Sequence, residues 1–341
     1  MAKRALISGY IGFNNFGDDA IFEDVVKNLK KREIEVSALS SNPIETAKKY
    51  DIKAYKFKNP KEIVKAIWKS DILISGGGSL FQNGTSSLSL LYYAFIVILA
   101  KLFFKKVIIL GQGIGPIYGR YFERISAFCF KIADMVTVRD NSSLRFLEKY
   151  KIKGKLLPDP VWSVEMPKYE PKNIVGIQMR NSNKISDLFI KNFAHFTGLH
   201  FQEKEIKIFL MQNEQDKPNS DKFLFYLKEE YPNINAEIVE YTTVEKLIQD
   251  FSHLEELIAM RFHACLLGYR LGIKTLCISY NKKVDELCKD FNMKYVELSD
   301  SINFSKELED FSKQEESSLF EDKRKEKFDW NYFNKILGEE K

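Results

Sequence analysis

The sequence predicts an α/β protein with two doubly wound domains, each built on a parallel sheet. Short apolar runs typical of buried strands alternate with amphipathic helical patterns along most of the 341 residues, a length that suits two domains. Leu156–Asn173 breaks this alternation with four prolines in eighteen residues, which is typical of a linker. We expect the two domains to face each other across a cleft. The predicted divisions are an N-terminal domain over 1–160, a linker over 161–173, a C-terminal domain over 174–312 and a charged, amphipathic tail over 313–341.

The elements of the first domain follow from the hydrophobic pattern. RALISGY reads as a strand and DDAIFEDVVKNLKKR as a helix, and IEVSALS and TAKKYDI come next. NPKEIVKAIWKS is a capped helix with Pro60 in its first turn, and DILISGGG is a buried strand that ends in glycine. After an apolar helix, KVIILGQGIGP, a helix over Arg120–Ala133, MVTVRD and the short helix NSSLRFLEKY complete the set.

A second alternation of strands and helices follows the proline-rich segment. IVGIQMR, IKIFLMQ, AEIVEY, ELIAM and KTLCISY have the composition of buried strands. Helices are predicted near Lys184–His200, over Asp221–Tyr231, over TVEKLIQDFS and over RFHACLLGYRLG. Ligands of such sheets bind beyond the carboxyl ends of the strands, so the loops that follow each strand are the places to look for function.

Composition limits the kind of partner. With 52 basic and 47 acidic residues the net charge is +5, which fits an anionic substrate or a weak attraction to anionic lipid and gives no support for nucleic-acid binding. The four cysteines show no CxxC spacing and predict reduced core residues of a cytoplasmic protein. MAKRALISG leads directly into a strand without the pattern of a signal peptide. No spacing of histidine or cysteine suggests a metal site, and we expect no cofactor.

One apolar segment, Leu88–Lys106, has two interpretations. Its uncharged run of thirteen residues, Leu88–Ala100, is shorter than the ~20 that span a bilayer, and a crossover helix is expected at this place. It is therefore either a buried helix or a helix whose exposed face touches a membrane with the help of Lys101, Lys105 and Lys106.

The loop after the first strand, GYIGFNNFGDDA, combines glycines with two acids. Its glycines allow a tight turn and close approach of a ligand, but the loop lacks both the dinucleotide pattern and the Lys-Ser/Thr of a phosphate loop. Asp18 and Asp19 have a simple alternative function, because carboxylates in the first turn stabilise a helix.

Two further loops of the first domain suggest binding. SGGGSLFQNGTSS has three consecutive glycines followed by uncharged polar residues, which suits sugar hydroxyls unless it is an ordinary flexible loop. Arg139 ends the strand in TVRDNSS directly before a helix, where it either holds an anion or pairs with Asp140 or another carboxylate.

In the second domain, MRFHACLLG carries the sharpest signal. Arg261 and His263 lie at a strand-to-helix junction, where an arginine can hold phosphate or carboxylate and a histidine can exchange a proton near neutral pH. A purely structural histidine is the alternative. Lys282 and Lys283 form a loop pair after the next strand, and they either contact an anion or are solvated surface lysines.

Together these loops resemble the polysaccharide pyruvyl transferase family. The resemblance rests on seven motifs that occur in the family's order, GFNNFGDDAI, SGGGSLFQN, GQGIGP, VRDNSS, DPVW, MRFHACLLG and ISYNKKV. It implies a glycosyltransferase-B-like fold with two Rossmann-like halves. It also implies transfer of the enolpyruvyl group of phosphoenolpyruvate, as co-substrate, to a sugar of a cell-surface polysaccharide or of its lipid-linked precursor. The products would be a pyruvate ketal and phosphate. The enzyme would be cytoplasmic and would act at the inner face of the membrane.

The resemblance also implies roles for individual residues. The reaction itself needs an acid for the methylene carbon and a base for the sugar hydroxyl, and from this chemistry we expect His263 to be the acid and Asp18 the base. The donor would be bound by Arg139, Arg261, His263 and Lys283. The acceptor would be bound by Gly12, Asn15, Gly17, Gly77, Gly78, Ser79, Gln82, Asn83 and Arg180.

The sequence departs from the family pattern at several positions, and these changes bear on the acceptor more than on the donor. Asn83 stands where many relatives have aspartate, Y-N-K-K-V replaces Y-D-P-K-V, and Asn181 replaces an aromatic residue after Arg180. Two other functions remain open at this point. One is a nucleotide-sugar-dependent glycosyltransferase of the same fold, and the other is a non-catalytic component of a polysaccharide assembly complex.

Overall fold

The computed structural model of the chain describes residues 3–182, 184–313 and 327–338, which form two compact units. Unit 1 contains residues 3–13, 17–164 and 327–338. Unit 2 contains residues 14–16 together with the described residues between 165 and 313. Each unit is built on one parallel sheet, so the predicted fold class of two doubly wound parallel-sheet domains is confirmed.

Unit 1 has a seven-stranded sheet in the order β3-β2-β1-β4-β5-β6-β7. Its strands are β1 (Arg4–Ser8), β2 (Glu35–Ser40), β3 (Lys53–Lys56), β4 (Ile72–Ser75), β5 (Lys106–Gln112), β6 (Met135–Val138) and β7 (Lys155–Leu156). Its helices are α1 (Phe16–Lys31), α2 (Pro43–Tyr50), α3 (Pro60–Lys69), α4 (Ser87–Leu102), α5 (Arg120–Ile132), α6 (Asn141–Lys149) and, near the C-terminus, α13 (Asn334–Leu337). Short 3-10 helices cover Pro160–Ser163 and Trp330–Phe333.

Unit 2 has a six-stranded sheet in the order β10-β9-β8-β11-β12-β13. Its strands are β8 (Ile174–Gln178), β9 (Glu205–Phe209), β10 (Ala236–Val239), β11 (Glu256–Ala259), β12 (Lys274–Ser279) and β13 (Tyr295–Glu297). Its helices are α7 (Asp187–His200), α8 (Asn213–Glu230), α9 (Val244–Phe251), α10 (Phe262–Leu271), α11 (Lys282–Asp290) and α12 (Phe304–Ser312).

The apolar runs identified in the sequence form the centres of the sheets. The strand Ile72–Ser75 is buried at every position, as a strand covered by helices on both faces must be. One hydrophobic cluster of unit 1 joins residues of α3, α4 and α5 to the sheet, so these three helices cover the same face. The four cysteines are free and buried, in line with the prediction of core thiols.

Three helix predictions need correction in their starting residues. Helix α8 begins at Asn213 rather than Asp221 and continues through Pro218, although the proline removes one hydrogen bond to the carbonyl of Glu214. Helix α7 begins at Asp187, where the Ser186 side chain caps it. Lys282 and Lys283 are not a loop pair. They open α11, because Asn281 accepts hydrogen bonds from the backbone N–H groups of the first turn.

The first residues of the predicted linker and part of the tail pack within unit 1, whereas the rest of the linker belongs to unit 2. Val161 and Trp162 are buried in unit 1, and the boundary between the units falls after Val164. In the tail, Trp330 and Phe333 are buried in unit 1, and Trp330 Nε1 donates to Asp24 of α1 over 2.9 Å. The predicted tail residues 314–326 and 339–341 lie outside the described residues.

Candidate functional site

The carboxyl edge of the sheet in unit 2 holds a buried ion pair between Arg261 and Asp216. Arg261 follows β11, and Asp216 lies in the first turns of α8, which follows β9. Arg261 Nε is 3.0 Å and 2.9 Å from the two carboxylate oxygens, and Nη2 lies 2.5 Å from Oδ1. The Asp216 side chain has no solvent exposure and that of Arg261 is 11 % exposed. Two-point pairing fixes the plane of the guanidinium group.

The surroundings of Asp216 explain why a fully buried carboxylate is tolerated there. Its Oδ2 accepts hydrogen bonds from the backbone N–H groups of Met211 and Gln212, at 2.9 Å and 3.1 Å. Gln178, at the end of β8, donates weakly to the same oxygen and accepts from the backbone N–H of Arg261 over 2.8 Å. The ends of β8, β9 and β11 are thus joined around Arg261. A buried charge is stable only when it is paired and hydrogen-bonded, and Asp216 meets both conditions.

Arg261 retains one terminal nitrogen for a ligand. Its Nη2 reaches Gln212 Oε1 at 3.4 Å, while Nη1 has no hydrogen-bond partner among the described residues. Helix α10 begins at the next residue, and the structure gives its N-terminus no side-chain cap within the described residues. His263 lies in this first turn and is partly exposed, with its ring edge-on to Phe262. Uncapped N–H groups beside a guanidinium favour an anion.

Arg180, which the resemblance assigns to the acceptor, lies on this same edge of unit 2. It follows β8, and its Nη1 donates to the hydroxyl of Tyr280, after β12, over 2.6 Å. The guanidinium carbon also stands 5.1 Å from the centre of the Tyr280 ring. Lys184 Nζ is bonded to the Tyr280 carbonyl at 3.3 Å. Strands β8, β11 and β12 are neighbours, so Arg180, Arg261 and the partly exposed Lys283 follow adjacent strands.

Asn15, also assigned to the acceptor, packs within unit 2. Its side-chain Nδ2 donates to Gln212 Oε1 at 3.3 Å, and the backbone N–H of Phe16 donates to Met211 at 2.9 Å. The same Gln212 oxygen accepts from Arg261. Asn15 therefore contributes to the hydrogen-bond network that holds Arg261.

In unit 1, Asp18 lies against the glycine-rich loop that follows β4. A Cβ atom on Gly78 would be 2.9 Å from Asp18 Oδ1, and Gly78 has a positive φ of +91°. A Cβ on Gly77 would lie 3.0 Å from Ile21 in the same helix, α1. The glycines therefore allow the loop to approach the first turn of α1, where Gly17 and Asp19 are buried and Asp18 is partly exposed.

Arg139 is buried in unit 1 and paired with a carboxylate, as one interpretation of the sequence expects. The carboxylate belongs to Asp159 in DPVW, 2.5 Å from Nη1, and both side chains are less than 5 % exposed. Asp140 instead caps helix α6. Arg139 Nη2 donates to Ser79 Oγ over 3.1 Å, which ties the guanidinium group to the glycine-rich loop.

The rest of that loop is held by its own polar side chains. Gln112, fully buried at the end of β5, bonds to Gly76 and to the backbone N–H of Leu80. Gln82 Nε2 donates to the hydroxyl of Thr85 over 2.6 Å, and Gln82 Oε1 accepts from the backbone N–H of Thr85 over 3.2 Å. Asn83 exchanges hydrogen bonds with the backbone of Tyr118. These hydrogen bonds connect the loop to the end of β5 and to the backbone of Tyr118, and its binding of a sugar stays a prediction.

Gly12 has a packing function that accounts for its presence. Its φ is +81°, and a Cβ there would lie 2.4 Å from Ser40 Oγ and 2.9 Å from the Asn42 backbone nitrogen. The loop after β1 can therefore lie against the loop after β2 only with glycine at this position.

Aromatic side chains line the loops beside Asp18. The rings of Tyr10 and Phe13 are stacked at 4.0 Å with an angle of 7°, and Phe57 meets Phe13 edge-on at 5.5 Å. Phe57 in turn meets Tyr92 of α4. Burial, aided by the charge of Asp18 and by two neighbouring tyrosines, raises the pKa of Tyr93.

Several residues that hold this arrangement escaped the sequence analysis. Asp216, Gln178 and Gln212 lie in none of the seven motifs, because their importance depends on partners that are distant along the chain. A usable signal existed for Asp159, since DPVW was among the motifs, and for Tyr280, which lies in ISYNKKV. Among the described residues no group of three or more histidine, cysteine or acidic side chains is placed to hold a metal ion.

The fold and these two strand edges define the class of protein. Two doubly wound parallel sheets, each with an arginine held at its carboxyl edge, form a glycosyltransferase-B-like α/β protein. Residues 15–282 match the family model for polysaccharide pyruvyl transferase, and the chain therefore belongs to that family. Among curated proteins none matches the sequence at a significant level.

Solved structures with low sequence identity share the fold. Staphylococcus aureus MnaA, solved with UDP, aligns with a TM-score of 0.67 at 11 % identity, covering 96 % of this chain and 92 % of its own. Acinetobacter baumannii MurG aligns with a TM-score of 0.58 at 12 % identity, covering 98 % of each chain. A UDP-N-acetylglucosamine 2-epimerase from Methanocaldococcus jannaschii gives 0.64 at 11 % identity, covering 93 % and 94 %. At these identities the likeness concerns the fold alone.

Proposed function

We propose that this chain transfers the enolpyruvyl group of phosphoenolpyruvate to a sugar of a cell-surface polysaccharide or of its lipid-linked precursor. A pyruvate ketal forms and phosphate leaves. The observation that carries the proposal is Arg261, held by Asp216 beside the uncapped N-terminus of α10, in a chain of the polysaccharide pyruvyl transferase family. Phosphoenolpyruvate is polyanionic near neutral pH, and cations and helix N–H groups are the groups that bind such a ligand.

The reaction needs one acid and one base. A sugar hydroxyl adds to the enol carbon while the methylene carbon takes up a proton, and a second hydroxyl of the sugar then displaces phosphate at the same carbon. His263 is our candidate for the acid because it lies in the first turn of α10, two residues after Arg261. Asp18 is our candidate for the base, since it is the partly exposed carboxylate against the glycine-rich loop of unit 1.

The other predicted site residues divide into two roles. Lys283 and Arg180 follow strands next to that of Arg261, and we assign both to the anionic donor, which changes the earlier assignment of Arg180 to the acceptor. Arg139 is buried with Asp159, so we assign it to holding Ser79 and the glycine-rich loop rather than to direct binding. Asn15 acts through Gln212 on the position of Arg261.

We assign the acceptor sugar to the loops of unit 1. Uncharged polar groups and the stacked pair of Tyr10 and Phe13 suit a sugar, which offers hydroxyls at its edge and C–H groups on its face. Gly12, Gly17, Gly77 and Gly78 shape these loops, and Gln82 and Asn83 order them. We place the enzyme at the inner face of the membrane, where a lipid-linked acceptor would be found. No helix among the described residues is long and apolar enough to cross a bilayer.

Thermal unfolding with phosphoenolpyruvate and with UDP-sugars tests the choice of donor. A ligand that binds the native state raises the melting temperature, so phosphoenolpyruvate should raise it and UDP-sugars should not. The reverse result would favour a nucleotide-sugar glycosyltransferase, and the fold likeness to UDP-bound structures makes this the second candidate. Protection by neither compound would favour a non-catalytic component.

Turnover tests the two assigned roles separately. Phosphate release from phosphoenolpyruvate would be measured with a panel of lipid-linked and soluble sugar acceptors. We expect His263→Gln and Asp18→Asn each to lower kcat by about 10²–10⁴-fold, the usual contribution of a positioned acid or base. Full turnover by Asp18→Asn, beside its loss in His263→Gln, would remove Asp18 from the mechanism.

A further inference from the structure

The outer surface of helices α3, α4 and α5 carries large apolar side chains in solvent. In α4, Leu88, Phe95 and Leu102 recur every seven residues and therefore lie along one side of the helix. The opposite side of α4 is buried in the core of unit 1. Together with Trp68 of α3, Phe128 of α5 and Phe104, these six residues define the outer face. Each is between 51 % and 96 % exposed.

Phe104 has a conformation that folding alone would not select. It is 96 % exposed and follows the C-terminus of α4 with φ of +57°, in the left-handed region that favours glycine. The backbone of this turn is bonded back to the helix, from Phe104 to Lys101 and from Lys105 to Ala100. A bulky aromatic residue at such a position costs conformational energy and has little to pack against. The exposure and the backbone conformation of Phe104 together point to a contact outside this chain.

The charge around the outer face is strongly basic. The segments that contain these helices, 60–69, 87–106 and 120–134, hold nine lysines and arginines against three acidic residues. The three acids are already engaged: Glu62 with the backbone of Lys56, Glu123 with Lys149, and Asp134 with two lysines. Among the described residues, Lys65, Lys69 and Lys131 are exposed and form no salt bridge.

We propose that the outer face docks on the surface of an anionic lipid bilayer. Exposed Trp and Phe side chains enter the boundary between headgroups and acyl chains, while surrounding lysines pair with acidic headgroups. A second copy of the chain fits less well, because a two-fold interface would place this basic surface against itself. The face belongs wholly to unit 1, so the proposal does not depend on the reaction proposed above.

Co-sedimentation with lipid vesicles tests the proposal. Phosphatidylcholine vesicles would be prepared with and without phosphatidylglycerol. Neither preparation would contain phosphoenolpyruvate or a sugar acceptor. We expect the protein to bind the anionic vesicles at low salt and to be released as salt rises. We expect Phe104→Gly to lower partitioning about tenfold, from the apolar area it removes, without lowering the melting temperature.

Matched variants separate the contributions of backbone, ring and charge. Lys151→Gly makes the same change at another left-handed position, after α6, and should bind vesicles as the parent does. Phe225→Ser removes an exposed ring from α8 of unit 2 and should also bind normally. The triple variant Lys65→Glu, Lys69→Glu and Lys131→Glu should lose the preference for phosphatidylglycerol.

Three results would overturn the proposal. The first is equal binding of anionic vesicles by the parent and by Phe104→Gly. The second is no binding of these vesicles by the parent at low salt. The third is a concentration-dependent dimer in sedimentation velocity that Phe104→Gly dissociates, without vesicle binding by the parent. This third result would assign the outer face to a second copy of the chain. Phosphate release with a soluble acceptor should be unchanged in Phe104→Gly whichever result is obtained.

Discussion

Arg261 and Asp216 form a two-point ion pair at the carboxyl edge of the second sheet, although 45 residues separate them along the chain. The carboxylate is fully buried and also accepts two backbone hydrogen bonds, so it fixes both the arginine and the loop that follows β9. This ion pair, and the contacts made by Gly113, Asp24 and Phe13, can each be tested by substitution in the purified protein.

Replacing Asp216 by asparagine should destabilise the protein and weaken donor binding together. Arg261 would be left as a buried cation without its counter-charge, which typically costs about 3–5 kcal/mol of unfolding free energy. Urea unfolding measures the first effect, and the shift of melting temperature with phosphoenolpyruvate measures the second. Asp187→Asn removes an exposed pair with Lys222 and should leave the urea midpoint close to that of the parent. Equal urea midpoints for Asp216→Asn and the parent would contradict the structural role.

Gly113→Ala should displace Arg139. A Cβ at Gly113 would lie 2.8 Å from Arg139 Nε and 3.1 Å from Ser79 Oγ, and both groups are packed between β5 and the glycine-rich loop. Overpacking of this kind typically costs about 1–3 kcal/mol, measured by urea unfolding. Gly9→Ala is the matched control, because a Cβ there would meet only the side chain of Ile11, at 3.7 Å. Equal urea midpoints for Gly113→Ala and Gly9→Ala would contradict the prediction that the space beside Arg139 is closely packed.

Asp24 should make stability depend on pH. Burial raises its pKa to about 6, although the hydrogen bond from Trp330 opposes this shift. In the unfolded chain an aspartate ionises near pH ~4. The folded protein therefore binds the proton of Asp24 more tightly than the unfolded chain does. The free energy of unfolding is highest below about pH 4 and falls by about 3 kcal/mol as the pH rises to about 6.

Asp24→Asn should remove this dependence. The asparagine keeps an oxygen for Trp330 Nε1 but does not ionise, so the variant should gain stability relative to the parent as pH rises from 4 to 7. Urea unfolding followed by tryptophan fluorescence across that range measures it. Asp51→Asn, at a fully exposed carboxylate, serves as the control and should keep the parent's profile. Parallel profiles for Asp24→Asn and the parent would contradict the prediction.

Phe13→Ala should weaken acceptor binding if the proposed reaction is correct. It removes half of the stacked pair with Tyr10, and stacking of this kind is worth about 0.5–1.5 kcal/mol beyond the area it buries. We expect a higher KM for the sugar acceptor with an unchanged shift of melting temperature by phosphoenolpyruvate. Phe225→Ala, an exposed ring on α8, controls for loss of an aromatic side chain. An unchanged acceptor KM would exclude the aromatic pair from the sugar site.

Much of the fold could be predicted because buried positions are apolar and recur along the sequence with the spacing of a helix or a strand. Strands such as Ile72–Ser75 are buried on both faces and read as continuous apolar runs, and caps such as Asn59 mark helix starts. Prediction was wrong at Pro218, because one missing backbone donor early in a helix looks like a helix boundary. The short edge strand Tyr295–Glu297 was not recognised, since none of its three residues is buried.

Candidate site residues could be found where position along the chain implies position in space. Arg139, Arg261 and His263 follow strands, and parallel strands bring their carboxyl ends to one edge of a sheet. The assignment of Arg180 rested on resemblance, and its contact with Tyr280, one hundred residues later, puts it at the edge that holds Arg261.

The sequence by itself determined the class of fold, the family and the loops worth examining, because hydrophobic period and short motifs are local properties. Only the tertiary structure decided which partner each buried carboxyl group takes. Asp159 pairs with Arg139, Asp216 with Arg261, and Asp24 with a tryptophan 306 residues away. The same division holds for the two acids that open α1. Their place in the first turn of a helix is readable from the sequence, but the approach of Gly78 to Asp18 exists only after the chain has folded.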